Sequence, residues 1–165
     1  MELLGKRVLI SGGSQGVGVY IAKTLSKAGA KVALLARSEE KLRDVANQLP
    51  GEALVCPADL TEPINLKHAV QLVEQAWGGI DVLVNNAVNY EEQDFLEVTP
   101  HDWMERVNVS LRGPYFLTQA VLPYMLAEGE GDVITIGAAV VQKSVANGRL
   151  SEYAASKSGL IGFMR

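Results

Sequence analysis

The chain has 165 residues, of which 48% are hydrophobic and 21% are charged. This length can bury one core, so a single domain over residues 1–165 is expected. The net charge of -4 gives no electrostatic reason for a nucleic-acid or anionic-membrane partner, and no metal site is predicted. The opening MELLGK lacks the features of a signal peptide, and the single cysteine, Cys56, excludes an internal disulfide. These features predict a cytoplasmic protein without a membrane span.

The first structural motif is RVLISGGSQGVGVYIAKTLSKA at residues 7–28. A strand is predicted over residues 7–11, in which Val8, Leu9 and Ile10 form the continuous apolar run of a strand that is buried on both faces. A helix is predicted from near Gly16, because apolar residues recur at three- and four-residue spacing. These residues are Val17, Ile21, Leu25 and Ala28. The motif therefore reads as a strand, a turn and a helix.

The turn between this strand and helix contains four glycines: Gly12, Gly13, Gly16 and Gly18. Without Cβ atoms the backbone can approach a pyrophosphate, while free N–H groups and the helix dipole face the anion. The dipole contributes only about 0.3–1 kcal/mol, so several N–H donors must supply most of the binding. A glycine turn can equally serve only to reverse the chain, and the surrounding elements must decide between the two roles.

Strands and helices alternate along the rest of the chain. Further strands are predicted at residues 31–36 (KVALLA), 53–56 (ALVC), 81–88 (DVLVNNAV, with its exit loop) and 132–136 (DVITI). Helices are predicted after Ser38, over residues 63–77, from Thr99 towards Ala127, and from Ser151. This order predicts an α/β fold: a Rossmann-like, doubly wound sheet of about five parallel strands in three αβα layers. A cofactor is expected across the carboxyl ends of the strands.

The long helix that begins at Thr99 has a strong start, with Pro100 and Asp102 in its first turn. Its apolar residues are expected to face inward or against a partner: Trp103, Val107, Leu111, Phe116, Ala120 and Tyr124. A further polar residue, Asn108, lies inside this helix, where Asn is mildly unfavourable.

The second strand ends in Ala36-Arg37, without an acidic residue at its tip. In dinucleotide folds this tip meets the adenosine ribose, where a carboxylate binds a free 2′-hydroxyl and a cation binds a 2′-phosphate. Arg37 can make a charge-assisted contact to that phosphate and stack on the adenine. The alternative is a solvated Arg at a helix start. We favour NADP(H) over NAD(H) on this basis.

Near the end of the chain, YAASK places Tyr153 and Lys157 four residues apart on a predicted helix, so they share one face. An ammonium near a phenol favours the phenolate and can lower the tyrosine pKa by about 1–3 units. Tyr153 is therefore expected to transfer protons, a role that contributes roughly 10²–10⁴-fold in rate. Alone, this spacing occurs by chance in many helices.

Taken together, the motifs resemble the short-chain dehydrogenase/reductase family. Ser11-Gly12-x-x-x-Gly16-Val17-Gly18 is similar to the family's T-G-x-x-x-G-x-G fingerprint, with Ser for Thr. The stretch Asn85-Asn86-Ala87-Val88 is similar to N-N-A-G, and YAASKSGLIGF matches the catalytic segment almost residue for residue. The resemblance covers the whole chain and implies interconversion of a small-molecule carbonyl and alcohol by hydride transfer, with NADP(H) as cofactor.

The resemblance also implies roles for individual residues. The cofactor would contact Gly12, Ser14, Gln15, Gly16, Val17, Gly18, Arg37, Asp59, Leu60, Asn86, Ala87, Tyr153 and Lys157. Asp59-Leu60 would hold the adenine ring, although Asp59 can equally be a turn residue before the next helix. Asn108, in NVSLRG, would bend its helix and hold a water linked to Lys157, or else be an ordinary polar residue. The catalytic set is then Tyr153, Lys157 and Asn108.

Three features depart from the family pattern. Val88 replaces a glycine beside the cofactor, so the loop is displaced outward or the cofactor is crowded. Ala138 occupies the place of a serine that binds the substrate carbonyl, with Ser144 as the nearest downstream hydroxyl. The chain also stops at Arg165, before the family's later strands, which indicates a truncated chain or a short paralogue.

Two other functions stay open beside the enzyme. One is an NADP(H)-binding pseudoenzyme or sensor, which Val88 and Ala138 suggest. The other is a non-catalytic dimerising fragment, which the apolar faces at Phe116 and Tyr124 suggest. A homodimer or homotetramer is expected.

Overall fold

Five parallel strands form one sheet in the order β3-β2-β1-β4-β5. The computed structural model describes residues 3–141 and 149–164. Its strands are β1 (Arg7–Ser11), β2 (Lys31–Ala36), β3 (Ala53–Pro57), β4 (Val82–Asn85) and β5 (Asp132–Thr135). In the register of the sheet, Leu9 lies beside Ala33 on one side and Leu83 on the other. The predicted α/β class and parallel sheet are confirmed.

Helices connect the strands and cover both faces of the sheet. They are α1 (Gly16–Lys27), α2 (Glu39–Ala46), α3 (Pro63–Trp77), α4 (Pro100–Val107), α5 (Gly113–Glu128) and α6 (Ser151–Phe163). A π-helical turn over Asn108–Arg112 joins α4 to α5, and a 3₁₀ turn over Ala139–Val141 follows β5. Among the residues that the structure describes, no helix is long and apolar enough to cross a membrane.

The apolar residues of the sheet separate into two cores because successive side chains point to opposite faces. On one face, Leu9 and Leu83 pack in a cluster that includes residues of α3 and α5. On the other face, Val8 and Ile10 pack in a cluster that includes residues of α1 and α2. Both faces of the central strands are therefore covered, which explains why β1 and β2 read as continuous apolar runs.

The buried face of α1 differs from the predicted stripe. Gly18, Ala22 and Ser26 are buried, whereas Val17 is 60% exposed. Three small residues at four-residue spacing let the helix axis lie close to the sheet, a signal that a search for large apolar residues misses. Ile21 and Leu25 still pack beside this face, partly buried.

The long helix also turns a different stripe inward. Trp103 is 41% exposed, and the predicted residues Phe116, Ala120 and Tyr124 are only partly buried at the edge of the core. The π-helical turn inserts an extra residue and shifts the helical phase, which a constant 3.6-residue period cannot anticipate. The buried positions after the shift are Ser110, Gly113, Pro114, Leu117, Thr118, Val121 and Met125.

Candidate functional site

The carboxyl ends of β1 and β4 meet at the centre of the sheet. The chain runs from β1 outward to β2 and β3, then returns to place β4 on the other side of β1. In open α/β sheets, ligands bind in the crevice at such a reversal of strand order. Two segments border it here: the glycine turn (residues 12–18) and the β4 loop (residues 86–99).

The glycines of the glycine turn serve different purposes. A Cβ atom on Gly12 would lie 2.8 Å from the Cα of Ala87, and one on Gly18 would lie 2.1 Å from the Gly12 carbonyl oxygen. Both positions therefore pack backbone against backbone. A Cβ on Gly16 would meet nothing within 4 Å, but its φ of +55° favours glycine. Glycine at position 16 thus allows the left-handed backbone conformation and leaves open space beside the turn, rather than allowing close packing against a strand.

The N-terminus of α1 fits a phosphate group. Its N-cap residue, Gln15, makes no side-chain cap hydrogen bond, and the first turn contains no acidic residue. By contrast, α2 is capped by the Ser38 side chain and has Glu39 and Glu40 in its first turn. The first N–H groups of α1, with the positive end of its dipole, are therefore the donors that a pyrophosphate would use. Ser14 is half-buried and Gln15 and Val17 are exposed at this rim.

Ser11 has a structural role that the sequence interpretation missed. Its Oγ accepts hydrogen bonds from the backbone N–H groups of Asn86 (3.1 Å) and Ala87 (3.2 Å). The Asn86 side chain in turn donates to the carbonyl oxygens of Ser11 (3.0 Å) and Gly12 (3.3 Å). These bonds fix the start of the β4 loop against the glycine turn. A hydroxyl at the end of an otherwise apolar strand was the only signal for this role.

Two residues of the β4 loop complete this wall of the crevice. Ala87 contacts Gly12 through the backbone. Val88, in the position where the family has glycine, is 42% exposed, so the loop accommodates its side chain without burying it.

Arg37 follows β2 on the same edge of the sheet. The N–H groups of Gly12 and Gly13 donate to the Leu35 carbonyl oxygen, at 2.8 and 3.2 Å, which holds the tip of β2 beside the glycine turn. The Arg37 side chain is exposed, and no described residue forms an ion pair with it. Arg37 therefore follows a strand end that is hydrogen-bonded to the glycine turn.

Asp59 and Leu60 are held by contacts within the chain. Asp59 Oδ1 accepts hydrogen bonds from the Thr61 N–H (2.9 Å) and hydroxyl (2.8 Å), which is the turn role. Leu60 is buried, and Gly113 packs so closely that a Cβ there would lie 2.5 Å from Leu60 Cγ. Their contact with an adenine ring stays a prediction.

Tyr153 and Lys157 lie on α6, with the lysine Nζ 6.0 Å from the centre of the tyrosine ring. Lys157 is 3% exposed and donates to the Ile136 carbonyl oxygen at 2.7 Å, which links α6 to the end of β5. The Tyr153 ring meets the ring of Tyr90 edge-on, with centres 5.2 Å apart. Of the pair predicted from sequence, Tyr153 therefore faces the β4 loop and Lys157 faces the end of β5.

The pKa of Tyr153 is shifted opposite to the sequence expectation. Burial raises the pKa of the Tyr153 phenol above its ordinary value, and burial lowers the pKa of Lys157. The ammonium is directed to the Ile136 carbonyl rather than to the phenol oxygen, so desolvation dominates. In this geometry Tyr153 stays protonated at neutral pH.

Within the π-helical turn, the side chain that reaches the β4 loop is Ser110, not Asn108. Ser110 is 1% exposed, and its Oγ accepts a hydrogen bond from the Asn89 N–H at 3.2 Å. The Asn108 carbonyl accepts from the Gly113 N–H, and its side chain is half-buried without a hydrogen bond to a described residue. The local bend expected at Asn108 is present as the π-helical turn, while its water-holding role stays a prediction.

The position expected to carry a substrate-binding hydroxyl is Ala138. It is half-buried just beyond β5, and its carbonyl oxygen accepts from the Val141 N–H at 3.2 Å. Its methyl group provides no donor. The alternative donor, Ser144, lies outside the described residues.

A parallel sheet in this strand order, with a glycine turn at its crevice, defines a Rossmann-like protein. A family model described as short chain dehydrogenase matches residues 6–165. The chain therefore belongs to the short-chain dehydrogenase family, as its motifs predicted. This is a family of oxidoreductases that use NAD(P) and act on small molecules.

Individual relatives agree with this assignment. The chain is 32% identical over 165 residues to the 3-oxoacyl-[acyl-carrier-protein] reductase of Escherichia coli (strain K12), covering 100% of this chain and 67% of the relative. A metagenomic short-chain oxidoreductase, solved in complex with NADP, is 36% identical with a TM-score of 0.90, covering 99% of this chain and 75% of that one. A short-chain type dehydrogenase/reductase from Mycobacterium marinum is 29% identical with a TM-score of 0.93, covering 98% and 67%.

Proposed function

We propose that this protein is an NADP(H)-dependent oxidoreductase that interconverts a small-molecule carbonyl and alcohol by hydride transfer. The observation that supports it best is the placement of Tyr153 and Lys157 beside the β4 loop, whose first residues are fixed to the glycine turn. Two relatives add support: one is named a 3-oxoacyl-[acyl-carrier-protein] reductase and another was solved with NADP.

In this proposal, different residues of the site bind the cofactor and transfer the proton. Gly16 and the first N–H groups of α1 would hold the pyrophosphate, and Arg37 the 2′-phosphate. Bound NADP(H) supplies or accepts the hydride. Tyr153, protonated at neutral pH because burial raises its pKa, donates the proton that a forming alkoxide needs. Lys157, held by the Ile136 carbonyl, places its Nζ 6.0 Å from the centre of the phenol ring.

One structural feature favours a second function, an NADP(H)-binding pseudoenzyme or sensor. Ala138 itself has no hydroxyl to bind a substrate oxygen, while the N-terminus of α1 has no side-chain cap and no acidic residue that would compete with a phosphate. A protein of this kind would bind NADPH without turning over carbonyl compounds.

The dimerising-fragment hypothesis loses its original basis. Phe116 and Tyr124 pack partly buried at the edge of the chain's own core. The exposed apolar residues of α5 are instead Tyr115, Leu122 and Leu126. A homodimer or homotetramer, a single NAD(P)-binding domain and a cytoplasmic location stay predictions.

Cofactor preference provides the direct test of the proposed function. We expect NADPH to bind more tightly than NADH, and Arg37→Ala to weaken NADPH binding by roughly 10–100-fold with little change for NADH. The estimate follows from about 1.5–3 kcal/mol for a hydrogen bond to a charged group and 1.4 kcal/mol per factor of ten. Calorimetric titration with both nucleotides measures these affinities.

Arg43→Ala is the matched control, since Arg43 lies on α2 and pairs with Glu39 at 2.5 Å. It should leave the affinity for NADPH unchanged. Equal affinities of the wild type for NADPH and NADH would contradict the assignment of Arg37 to the 2′-phosphate.

A further inference from the structure

A buried ion pair joins α6 to α4 next to Tyr153. Arg106 is 3% exposed and Glu152 is 0% exposed. Arg106 Nη1 donates a hydrogen bond to Glu152 Oε1, although the two residues are 46 positions apart in sequence. Glu152 directly precedes Tyr153 in the first turn of α6. Charged side chains are almost never buried this completely unless they are paired.

The same guanidinium also holds the β4 loop. Arg106 Nη2 donates to Gln93 Oε1 at 2.7 Å and to Glu91 Oε2 at 3.3 Å. The Gln93 amide donates to the Glu97 carbonyl oxygen (3.0 Å), and the Gln93 backbone N–H donates to the Arg149 carbonyl oxygen (3.1 Å). Arg106 thus connects the segment that precedes α6 with the loop that carries Tyr90.

The start of α6 depends on these contacts because it has no side-chain cap. Leu150 occupies the N-cap position and cannot supply a cap hydrogen bond. Glu152 Oε2 instead accepts from the Ser151 hydroxyl at 2.8 Å, and the Glu152 carbonyl accepts from the Ser156 hydroxyl at 2.8 Å. Glu152 and Ser156 form the inward face of the helix, and Tyr153 projects about 100° further round.

We propose that Arg106 and Glu152 are positioning residues for Tyr153, which fix the rotation of α6 and the approach of the β4 loop around the phenol. The catalytic meaning of this role rests on the proposed function, but the geometric claim does not. A buried ion pair contributes little stability compared with apolar packing of similar volume, because both charges lose their hydration. We therefore interpret this pair as fixing the geometry of α6 and the β4 loop.

The ionisation of Tyr153 tests the proposal without an activity assay. The chain is labelled with ¹³C at the tyrosine ring carbon that bears the hydroxyl, and Tyr153→Phe assigns the signal. In Arg106→Met, a released α6 lets water reach the phenol, so the Tyr153 pKa should fall towards the ordinary value of a tyrosine, about 10. A through-space effect of the unpaired Glu152 carboxylate would instead raise it. The described titratable groups beside Tyr153 are Lys157 and Tyr90, whose hydroxyl donates to Glu92, and Arg106→Met alters none of these three side chains.

A milder variant covers the case in which Arg106→Met does not fold. Gln93→Leu leaves the Arg106–Glu152 pair in place and removes the Gln93 side-chain bonds to Arg106 (2.7 Å), to the Glu97 carbonyl oxygen (3.0 Å) and to Asp102 (3.3 Å). It should shift the Tyr153 pKa in the same direction by a smaller amount. Asp81→Asn is the matched control, because Asp81 pairs with Arg7 at 2.8 Å next to the amino ends of β1 and β4. It should lower the melting temperature and leave the Tyr153 pKa unchanged.

An unchanged or raised Tyr153 pKa in the folded variants would overturn the positioning role. An equal shift in Asp81→Asn would also overturn it, because the effect would then follow general loss of stability. If the wild type fails to bind NADPH, the proposed function is wrong, yet the comparison of tyrosine ionisation still decides the role of Arg106 and Glu152.

Discussion

Ala138→Ser is expected to raise the rate of carbonyl reduction by NADPH about 10²–10³-fold, because one preorganised donor to a developing oxyanion contributes roughly that much. Ala138 is half-buried two residues after Ile136, whose carbonyl oxygen binds Lys157 Nζ at 2.7 Å. NADPH oxidation, followed by absorbance over a broad panel of carbonyl compounds, measures the gain.

Two controls accompany this variant. Gly137→Ser adds the same hydroxyl one residue earlier, at an exposed position, and should leave the rate unchanged. Tyr153→Phe in the Ala138→Ser background should lower the rate by about 10²–10⁴-fold, because it removes the proton donor. These values apply to whichever carbonyl compound is turned over fastest.

The outcome also decides between the proposed functions. If Ala138→Ser has no effect while Ser144→Ala removes activity, Ser144 is the donor. If neither the wild type nor Ala138→Ser reduces any compound despite measurable NADPH binding, the sensor function replaces the enzyme.

Elements that are defined by local patterns were predictable from the sequence. The strands β1 and β2 and the helix α3 have the predicted bounds, because continuous apolar runs mark buried strands and Pro63 and Gly78 mark the two ends of a helix. The strand β4 lies within the predicted strand and exit loop, and it ends at Asn85 because Asn86 leaves the sheet to bond with Ser11 and Gly12.

Features that depend on contacts distant in sequence were not predictable in this way. No local pattern pairs Arg106 with Glu152 across 46 residues. The family resemblance placed Asn108 in the site, a role that stays a prediction, whereas no pattern indicated that Ser110 is the buried residue of the π-helical turn. The spacing of Tyr153 and Lys157 gave their shared face correctly, but not the Ile136 carbonyl that binds the ammonium.

Substitutions in the glycine turn should distinguish a glycine that leaves room for the nucleotide from one that packs against the backbone. Gly16→Val is expected to abolish nucleotide binding while the far-UV circular dichroism stays largely intact. A Cβ at Gly16 meets nothing within 4 Å, so the damage is limited to a strained backbone, at about 1–3 kcal/mol, and to a side chain where the phosphates would lie. Calorimetric titration with NADPH measures the loss.

Gly18→Val is expected to remove NADPH binding and stability together. Its Cβ would lie 2.1 Å from the Gly12 carbonyl oxygen, a backbone atom that cannot rotate away. The clash would displace α1 from the sheet, with a loss of about 1–3 kcal/mol or more in the free energy of unfolding.

Gly78→Val is the matched control for Gly16→Val, because Gly78 also has a left-handed φ (+75°) and open surroundings but lies at the end of α3. It should bind NADPH normally. Normal binding by Gly16→Val as well would mean that the glycines only turn the chain.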